Sequence, residues 1–153
     1  MNKINPEYVD ELKTIINTSQ FPVHMNMTLD GIGIDEAQVS IRLDDCHLQA
    51  FGIVHGGTLA TLIDTVTFWA AFMRLPEDAG LVNVDLKLNY LAQAVTGKLT
   101  AKGRCLRPGK TISYAEAGVY DEAGTLVAHG TSSLMALPGK GLKLAHTKFS
   151  SGE

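Results

Sequence analysis

The feature that most constrains the fold is a stretch of 18 residues, 56–73, in which Asp64 is the only charged side chain. Its length and its alanine and leucine content predict a helix, and because apolar residues occur all round it, that helix should be buried on nearly every side. A run of this length is almost long enough to span a bilayer. We favour a buried helix, because a carboxylate lies at its middle, four threonines interrupt it, and strand patterns follow it.

The rest of the chain supplies strands that can wrap this helix. Alternation of apolar and polar residues predicts strands at 23–29 and 39–43, with a turn at Asp30 and Gly31. A third strand is predicted at 81–91. The residues on its apolar face are Val82, Val84, Leu86, Leu88 and Tyr90.

Three further strands are predicted at 97–107, 111–121 and 125–137, joined as hairpins by turns at Pro108-Gly109 and at 121–124. Small residues recur along the last two strands, as a sheet curled tightly against a helix requires. They are Ala115, Ala117, Ala128, Gly130 and Ser132. Antiparallel hairpins around one enclosed helix make an α+β fold, and we expect a single domain over 1–153.

The two ends of the chain carry weaker signals. A short amphipathic helix is predicted at 6–18, with Asn5 as its cap. Its predicted apolar face comprises Val9, Leu12, Ile15 and Ile16. The tail from about residue 139, with its glycines, lysines and serines, is predicted to be loose.

Composition narrows the classes of partner and compartment. A net charge of −3 gives no reason to expect nucleic acid or an anionic membrane as the main partner. Cys46 and Cys105 are far apart and should be free buried thiols, and neither Cys46 nor His47 has metal-ligand spacing to a neighbour. The first 17 residues carry several charges and no apolar signal segment, so we expect a cytoplasmic protein.

Two features of the segment 52–64 suggest chemistry. Gly56 and Gly57 stand where a loop becomes a helix, so the backbone can approach a ligand closely, and the first helical N–H groups have no internal partner. Such groups can stabilise a developing oxyanion. Asp64 lies two turns into the helix, where a carboxylate must be paired, be neutralised or line a cavity. It is therefore either a catalytic group or a polar residue satisfied by its neighbours.

The spacing of these residues resembles a known family. In His55-Gly56-Gly57 the histidine is followed after nine residues by Asp64 and preceded by six residues by Gln49. This combination resembles the hotdog thioesterases, most of all the phenylacetic-acid-degradation branch, which includes 4-hydroxybenzoyl-CoA thioesterases. The resemblance covers roughly 40–137, including the Asn83 strand and the turn from Arg107 to Thr111.

The resemblance implies a hotdog fold and hydrolysis of acyl-CoA to a free acid and coenzyme A, without a metal or redox cofactor. The residue matching Asp64 acts as nucleophile or as general base for water. The groups matching the Gln49 amide and the Gly56 N–H polarise the thioester carbonyl, and the residue matching His55 supports the loop.

Further substrate contacts are predicted around these groups. Gly57 lies in the backbone that approaches the ligand, and Asn83 stands where some relatives have Ser or Thr to place the attacking water. Arg107 and Lys110, with Arg104 nearby, form either a solvated turn or a clamp for the coenzyme A phosphates.

Geometry and resemblance together predict a homodimer with shared active sites. Gly56 and Asp64 are eight residues apart, or about 12 Å along a helix, so one carbonyl cannot easily contact both in the same chain. Antiparallel copies of the helix would bring them together, and the resemblance implies pairs of such dimers. The alternatives are a hotdog enoyl-thioester hydratase or dehydratase, for which only His55 could pair with the carboxylate, and an acyl-CoA-binding protein without turnover.

Overall fold

The computed structural model describes residues 3–150, in which a seven-stranded antiparallel sheet curls around one long helix, α3 (Gly56–Phe72). Two helices precede it, α1 (Pro6–Thr18) and α2 (Gln20–His24). The strands β1 to β9 are, in order, Lys3–Ile4, Met27–Ile32, Glu36–Arg42, Gly80–Asn83, Lys87–Tyr90, Lys98–Arg107, Ile112–Tyr120, Leu126–Leu137 and Phe149–Ser150.

The large sheet has the order β2-β3-β6-β7-β8-β4, and β5 also pairs with β8. The α+β class and the predicted central helix are thus confirmed. None of the helices in residues 3–150 reaches the length and apolarity of a bilayer crossing.

Close contact between α3 and the sheet depends on glycines in the strands. A Cβ atom at Gly103 in β6 would lie 2.6 Å from the Val66 carbonyl oxygen of the helix. A Cβ atom at Gly130 in β8 would lie 3.0 Å from the Ile63 side chain. Larger residues would therefore force the sheet and the helix apart.

The predicted hairpins and the N-terminal helix agree closely with the structure. The strands β6, β7 and β8 match their predicted bounds to within about one residue, and α1 matches its bounds, with Asn5 Oδ1 accepting a hydrogen bond from the Glu7 N–H at 3.0 Å. The predicted face of α1 was wrong at Ile15, which is 41% exposed, while Tyr8 is buried beside Leu12.

The strand predicted at 23–29 is present only in its second half. Residues up to His24 form α2, and only Met27 and the residues after it are strand. Pro22 fits the first turn of a helix, where its missing N–H costs nothing. Asn26 then turns the chain with a φ of +47°. Alternation over a few residues did not distinguish a short helix from a strand.

The turn expected at Asp30 and Gly31 was also misplaced. The strand β2 continues to Ile32, and the pairing with β3 shifts register between Leu29 and Gly31. The chain reverses at 33–35 instead, where Asp35 has a φ of +64°. The Asp-Gly pair therefore marks a bulge rather than a hairpin turn.

The strand predicted at 81–91 is broken in two, and its phase changes at the break. The Asp85 side chain accepts a hydrogen bond from the Ser133 N–H at 2.8 Å, which replaces regular pairing. As a result Val82 and Val84 are exposed, while Asn83 in β4 lies opposite the buried Leu134. Tyr90 in β5 is opposite the buried Ala128 and keeps its predicted face.

The tail predicted to be loose contains no helix or strand over 139–148, but it is fixed to the core at Lys148. Lys148 is 1% exposed, and its ammonium group donates to the carbonyl oxygens of Phe72, the last residue of α3, at 3.1 Å and of Leu75 at 2.9 Å. It also lies 4.0 Å from the centre of the Phe72 ring. Next to it, β9 pairs with β1. The tail is held at this point because its lysine donates to two backbone carbonyl groups at and just after the end of the helix.

Both cysteines are free thiols, as expected, but only Cys105 is buried. Cys46 is exposed because it lies in a short 3-10 helix, Asp45–His47, in which His47 takes the interior position.

Burial of Lys148 predicts that the folded protein becomes more stable as the pH rises above about 8. Burial lowers the pKa of this ammonium group from 10.5 to about 8, against the opposing effect of Glu77. Between these pH values the unfolded chain binds more protons than the folded one, so the free energy of unfolding should rise with pH. The free energy of unfolding can be measured by urea at fixed protein concentration. We expect the value for wild type minus that for Lys148→Met to increase by at least about 1 kcal/mol from about pH 8 to pH 10.

The matched control is Lys143→Met, which removes an exposed lysine of the same tail. Its free energy of unfolding should change with pH in parallel with that of wild type. A wild-type profile parallel to that of Lys148→Met would contradict the lowered pKa.

Candidate active site

The N-terminus of α3 is held open by two histidines. His55 is the N-cap, and its Nδ1 accepts a hydrogen bond from the Gly57 N–H at 2.8 Å. The buried His47 anchors the same turn, because its carbonyl oxygen accepts from the His55 N–H at 2.8 Å and from the Thr58 hydroxyl at 3.2 Å. The Gly56 N–H makes no hydrogen bond with any part of residues 3–150. One backbone donor is thus left for a ligand.

The side chain of His47 explains why this anchor is rigid. Its Nδ1 accepts from the Asp44 N–H at 2.9 Å, so its Nε2 donates to the Met25 carbonyl oxygen at 2.8 Å. The imidazole therefore has a single tautomer and joins the end of α2 to the start of α3. Sequence reasoning tested His47 only as a metal ligand and did not anticipate this role.

Gln49 is oriented by a tight turn. The Gly52 N–H donates to the Gln49 carbonyl oxygen at 2.9 Å, and Gly52 has a φ of +77°. The Phe51 N–H donates to the Gln49 side-chain oxygen. Because the acceptor end of this amide is occupied, its NH₂ end is the end available to a ligand.

Gln49 and Gly56 line one open cavity of about 410 Å³ beside the N-terminus of α3. The walls are mainly apolar, and the remaining lining residues are Ile53, Val54, Leu59, Tyr90, Leu91, Ala92 and Gln93. The structure therefore brings together the two predicted donors. Asp64 is not among the lining residues.

Asp64 lies on the one strip of α3 that the sheet leaves uncovered. The strip is defined by the incompletely buried residues Gly57, Ala60, Thr61, Asp64, Thr65 and Phe68. The Asp64 carboxylate has no hydrogen-bond partner in residues 3–150, and partial burial raises its pKa above the ordinary aspartate value. A carboxylate with a raised pKa and no partner on an accessible surface is a candidate base or nucleophile.

Asn83 supports the helix at Asp64. Its Nδ2 group donates to the Asp64 carbonyl oxygen at 3.2 Å and to the Ser132 hydroxyl at 3.0 Å. Ser132 in turn donates to the Asp85 carbonyl oxygen at 2.7 Å. The prediction that placed Asn83 near the site relied on the family resemblance. The phase change at Asp85 is what turns Asn83 towards α3, and alternation alone would have turned it away.

The basic turn lies at the opposite end of α3. Lys110 and Arg74 line a second cavity of about 540 Å³ with Leu75 and Pro76, which follow the helix. Arg107, the last residue of β6, is exposed next to this turn. Arg104 does not join them, because it pairs with Glu116 at 2.7 Å on the outer face of the sheet. Within one chain the turn and Gly56 are separated by the length of α3, about 24 Å.

Comparison with known proteins places this arrangement in a family. The model of the thioesterase superfamily matches residues 51–128, which include the start of α3, Asp64 and Asn83. The chain belongs to the thioesterase superfamily. Its fold is the hotdog fold, and the prediction of a thioester hydrolase is confirmed at the level of the family.

Relatives and solved structures agree with this assignment. Acyl-coenzyme A thioesterase 13 of Mus musculus is 27% identical over 106 residues, which cover 68% of this chain and 75% of the relative. A thioesterase from Haemophilus influenzae superposes with a TM-score of 0.81 at 22% identity, covering 95% of this chain and all of that one. The PaaI protein of Escherichia coli, from the phenylacetic acid degradation operon, superposes with a TM-score of 0.77 at 17% identity, covering 85% and 93% of the two chains.

Proposed function

We propose that this thioesterase hydrolyses acyl-CoA, with Gln49 and Gly56 binding the thioester carbonyl and Asp64 attacking it or activating water. The observation that carries the proposal is the convergence of two unpaired donors, the Gln49 NH₂ group and the Gly56 N–H, on one apolar cavity at a helix N-terminus. Donors fixed in this way bind the oxyanion of the transition state more tightly than the neutral carbonyl. The name of the mouse relative supports the acyl-CoA class.

Asp64 supplies the second half of the proposed mechanism. Acting as a base, it takes a proton from water while the water oxygen bonds to the carbonyl carbon, after which the C–S bond breaks and the thiol leaves with a proton. Acting as a nucleophile, its oxygen bonds to the carbonyl carbon while the C–S bond breaks, which gives an anhydride and the coenzyme A thiolate. Water then hydrolyses the anhydride to the free acid and the Asp64 carboxylate, and the proton released converts the thiolate to the thiol. Both routes need the ionised carboxylate, which has no competing partner in the described residues.

We further propose that each site is shared by two subunits. If Gly56 of one α3 faces the partner subunit's Asp64, the antiparallel helices cross at residue 60, midway between them. The strip residues at and around this crossing are Gly57, Ala60 and Thr61, and such small residues allow helices to approach closely. Val84, which follows the edge strand β4, is 59% exposed, and a second copy pairing at this edge would cover it. Pairing of two such dimers remains a prediction.

This arrangement also provides a place for the coenzyme A phosphates. The C-terminal end of an antiparallel α3 extends past Gly56 of the other subunit, so the basic turn of the subunit that supplies Asp64 comes within reach of the substrate. Asp64 is eight residues, about 12 Å, from the end of its helix at Phe72. The same turn in the subunit that supplies Gly56 would be about twice as far away. Arg107 and Lys110 are therefore proposed to clamp the phosphates from the Asp64 side.

The role of Asp64 predicts a large loss of activity in Asp64→Asn. This change keeps the shape of the side chain but removes its basic oxygen, so thiol release from acyl-CoA should fall at least about a hundredfold. Burial raises the pKa of Asp64. In the pH profile of wild-type kcat/KM, the midpoint of the fall on the acid side should therefore lie above the ordinary aspartate pKa of about 3.9. Equal rates for the two proteins over a panel of acyl-CoA substrates would exclude Asp64 as the catalytic group.

The clamp predicts a KM effect that depends on the nucleotide part of the substrate. Replacing Arg107 and Lys110 together by alanine should raise KM for acyl-CoA much more than for the matching acyl-pantetheine. The difference should shrink at high salt, since the proposed ion pairs are exposed. Arg104→Ala is the matched control, because that arginine is held by Glu116. An equal rise in KM for both substrates would contradict the clamp.

Shared sites predict recovery of activity in mixed dimers. Gln49→Ala and Asp64→Asn proteins, each poorly active, are unfolded together and refolded as a mixture. A mixed dimer then has one site with both defects and one with neither, and random pairing makes half of the dimers mixed. Activity should therefore recover to roughly a quarter of wild type. If native mass spectrometry shows exchange but activity equals the mean of the two variants, Gln49 and Asp64 act within one chain.

A further inference from the structure

Tyr90 lies directly against the backbone of Gly56. It is the last residue of β5, and its pairing with Ala128 turns its side chain towards the helix. A Cβ atom built on Gly56 would lie 2.9 Å from both the Cζ and the hydroxyl oxygen of Tyr90. The Tyr90 ring therefore occupies the space into which a side chain at position 56 would project.

The Tyr90 hydroxyl is available to a ligand. The side chain lines the same cavity as Gln49 and Gly56, and the residue is 59% exposed. Nothing in residues 3–150 forms a hydrogen bond with its hydroxyl group. An aromatic ring that only filled space beside a glycine would need no hydroxyl group. The Tyr90 side chain lines the cavity and carries an O–H donor next to Gly56.

We propose that Tyr90 is a catalytic residue whose hydroxyl is the third donor to the thioester oxygen. The inference rests on the proposed hydrolysis of acyl-CoA. The hydroxyl belongs with the oxygen, because it lies beside the residue whose N–H binds that oxygen. Tyr90 also lines the cavity that is lined by Gln49. A third donor strengthens binding most where negative charge develops, so its effect falls on kcat rather than on KM.

Tyr90→Phe tests the donor without removing the ring. We expect kcat for an acyl-CoA to fall at least about tenfold, while KM stays within about twofold of wild type. The same fall in kcat is expected with the matching acyl-pantetheine, because both substrates keep the carbonyl. The matched control is Tyr114→Phe, which removes a hydroxyl from another exposed tyrosine, one outside the cavity, and should leave both constants unchanged.

The outcomes separate this inference from the proposed function. Wild-type kcat in Tyr90→Phe, with Asp64→Asn inactive, would overturn the role of Tyr90 and leave the hydrolase intact. A rise in KM at unchanged kcat would also overturn it and make Tyr90 a wall for the substrate. No hydrolysis of any acyl-CoA or acyl-pantetheine by the wild-type enzyme would overturn both proposals. Thermal unfolding and native mass spectrometry of each variant show that a lost rate is not lost folding or assembly.

Discussion

The contact between α3 and the curled sheet is the constraint on which the rest of the structure depends. The sheet approaches so closely that a Cβ atom at Gly103 would collide with the Val66 carbonyl oxygen of the helix, and one at Gly130 would lie 3.0 Å from the Ile63 side chain. Because the sheet covers most of the helix surface at this distance, the helix can be apolar almost throughout. The sheet nevertheless leaves one strip of the helix uncovered. Asp64 lies on that strip. The wrapping therefore decides both why the helix is apolar and where its single carboxylate can meet a substrate.

Local patterns predicted those elements whose environment is uniform along their length. The strands β6, β7 and β8 each have one face on α3 and one away from it, and their bounds, predicted together with the hairpin turns that join them, were right to about one residue. Prediction failed where one contact changes the environment within an element. Asp85 takes over the pairing of Ser133, and the chain after it changes phase, so Val82 and Val84 are exposed and Asn83 is turned inwards. No periodic pattern contains that information.

The residues of the candidate site also fall into those that local structure places and those that distant contacts place. Gln49 and Gly56 are close in sequence and are joined by short turns, so their convergence on one cavity follows from local structure. His47 and Tyr90 could not be placed beforehand, because their contacts depend on distant segments, the end of α2 in one case and the pairing of β5 with β8 in the other. One signal was nevertheless present. A tyrosine on the face predicted to be buried must find a partner for its hydroxyl or open onto a cavity.

The two ends of α3 differ in how their backbone groups are paired, and this difference links the stability of the fold to the chemistry of the site. At the C-terminus, Lys148 places a buried ammonium group on the carbonyls of Phe72 and Leu75, where the helix dipole favours positive charge. At the N-terminus, His55 satisfies the Gly57 N–H and leaves that of Gly56 free. The end at which negative charge is stabilised is thus the end left open. With its C-terminal carbonyls bound by Lys148 and the Gly56 N–H left free beside the His55 cap, α3 provides a donor for an oxyanion without loosening the core that surrounds it.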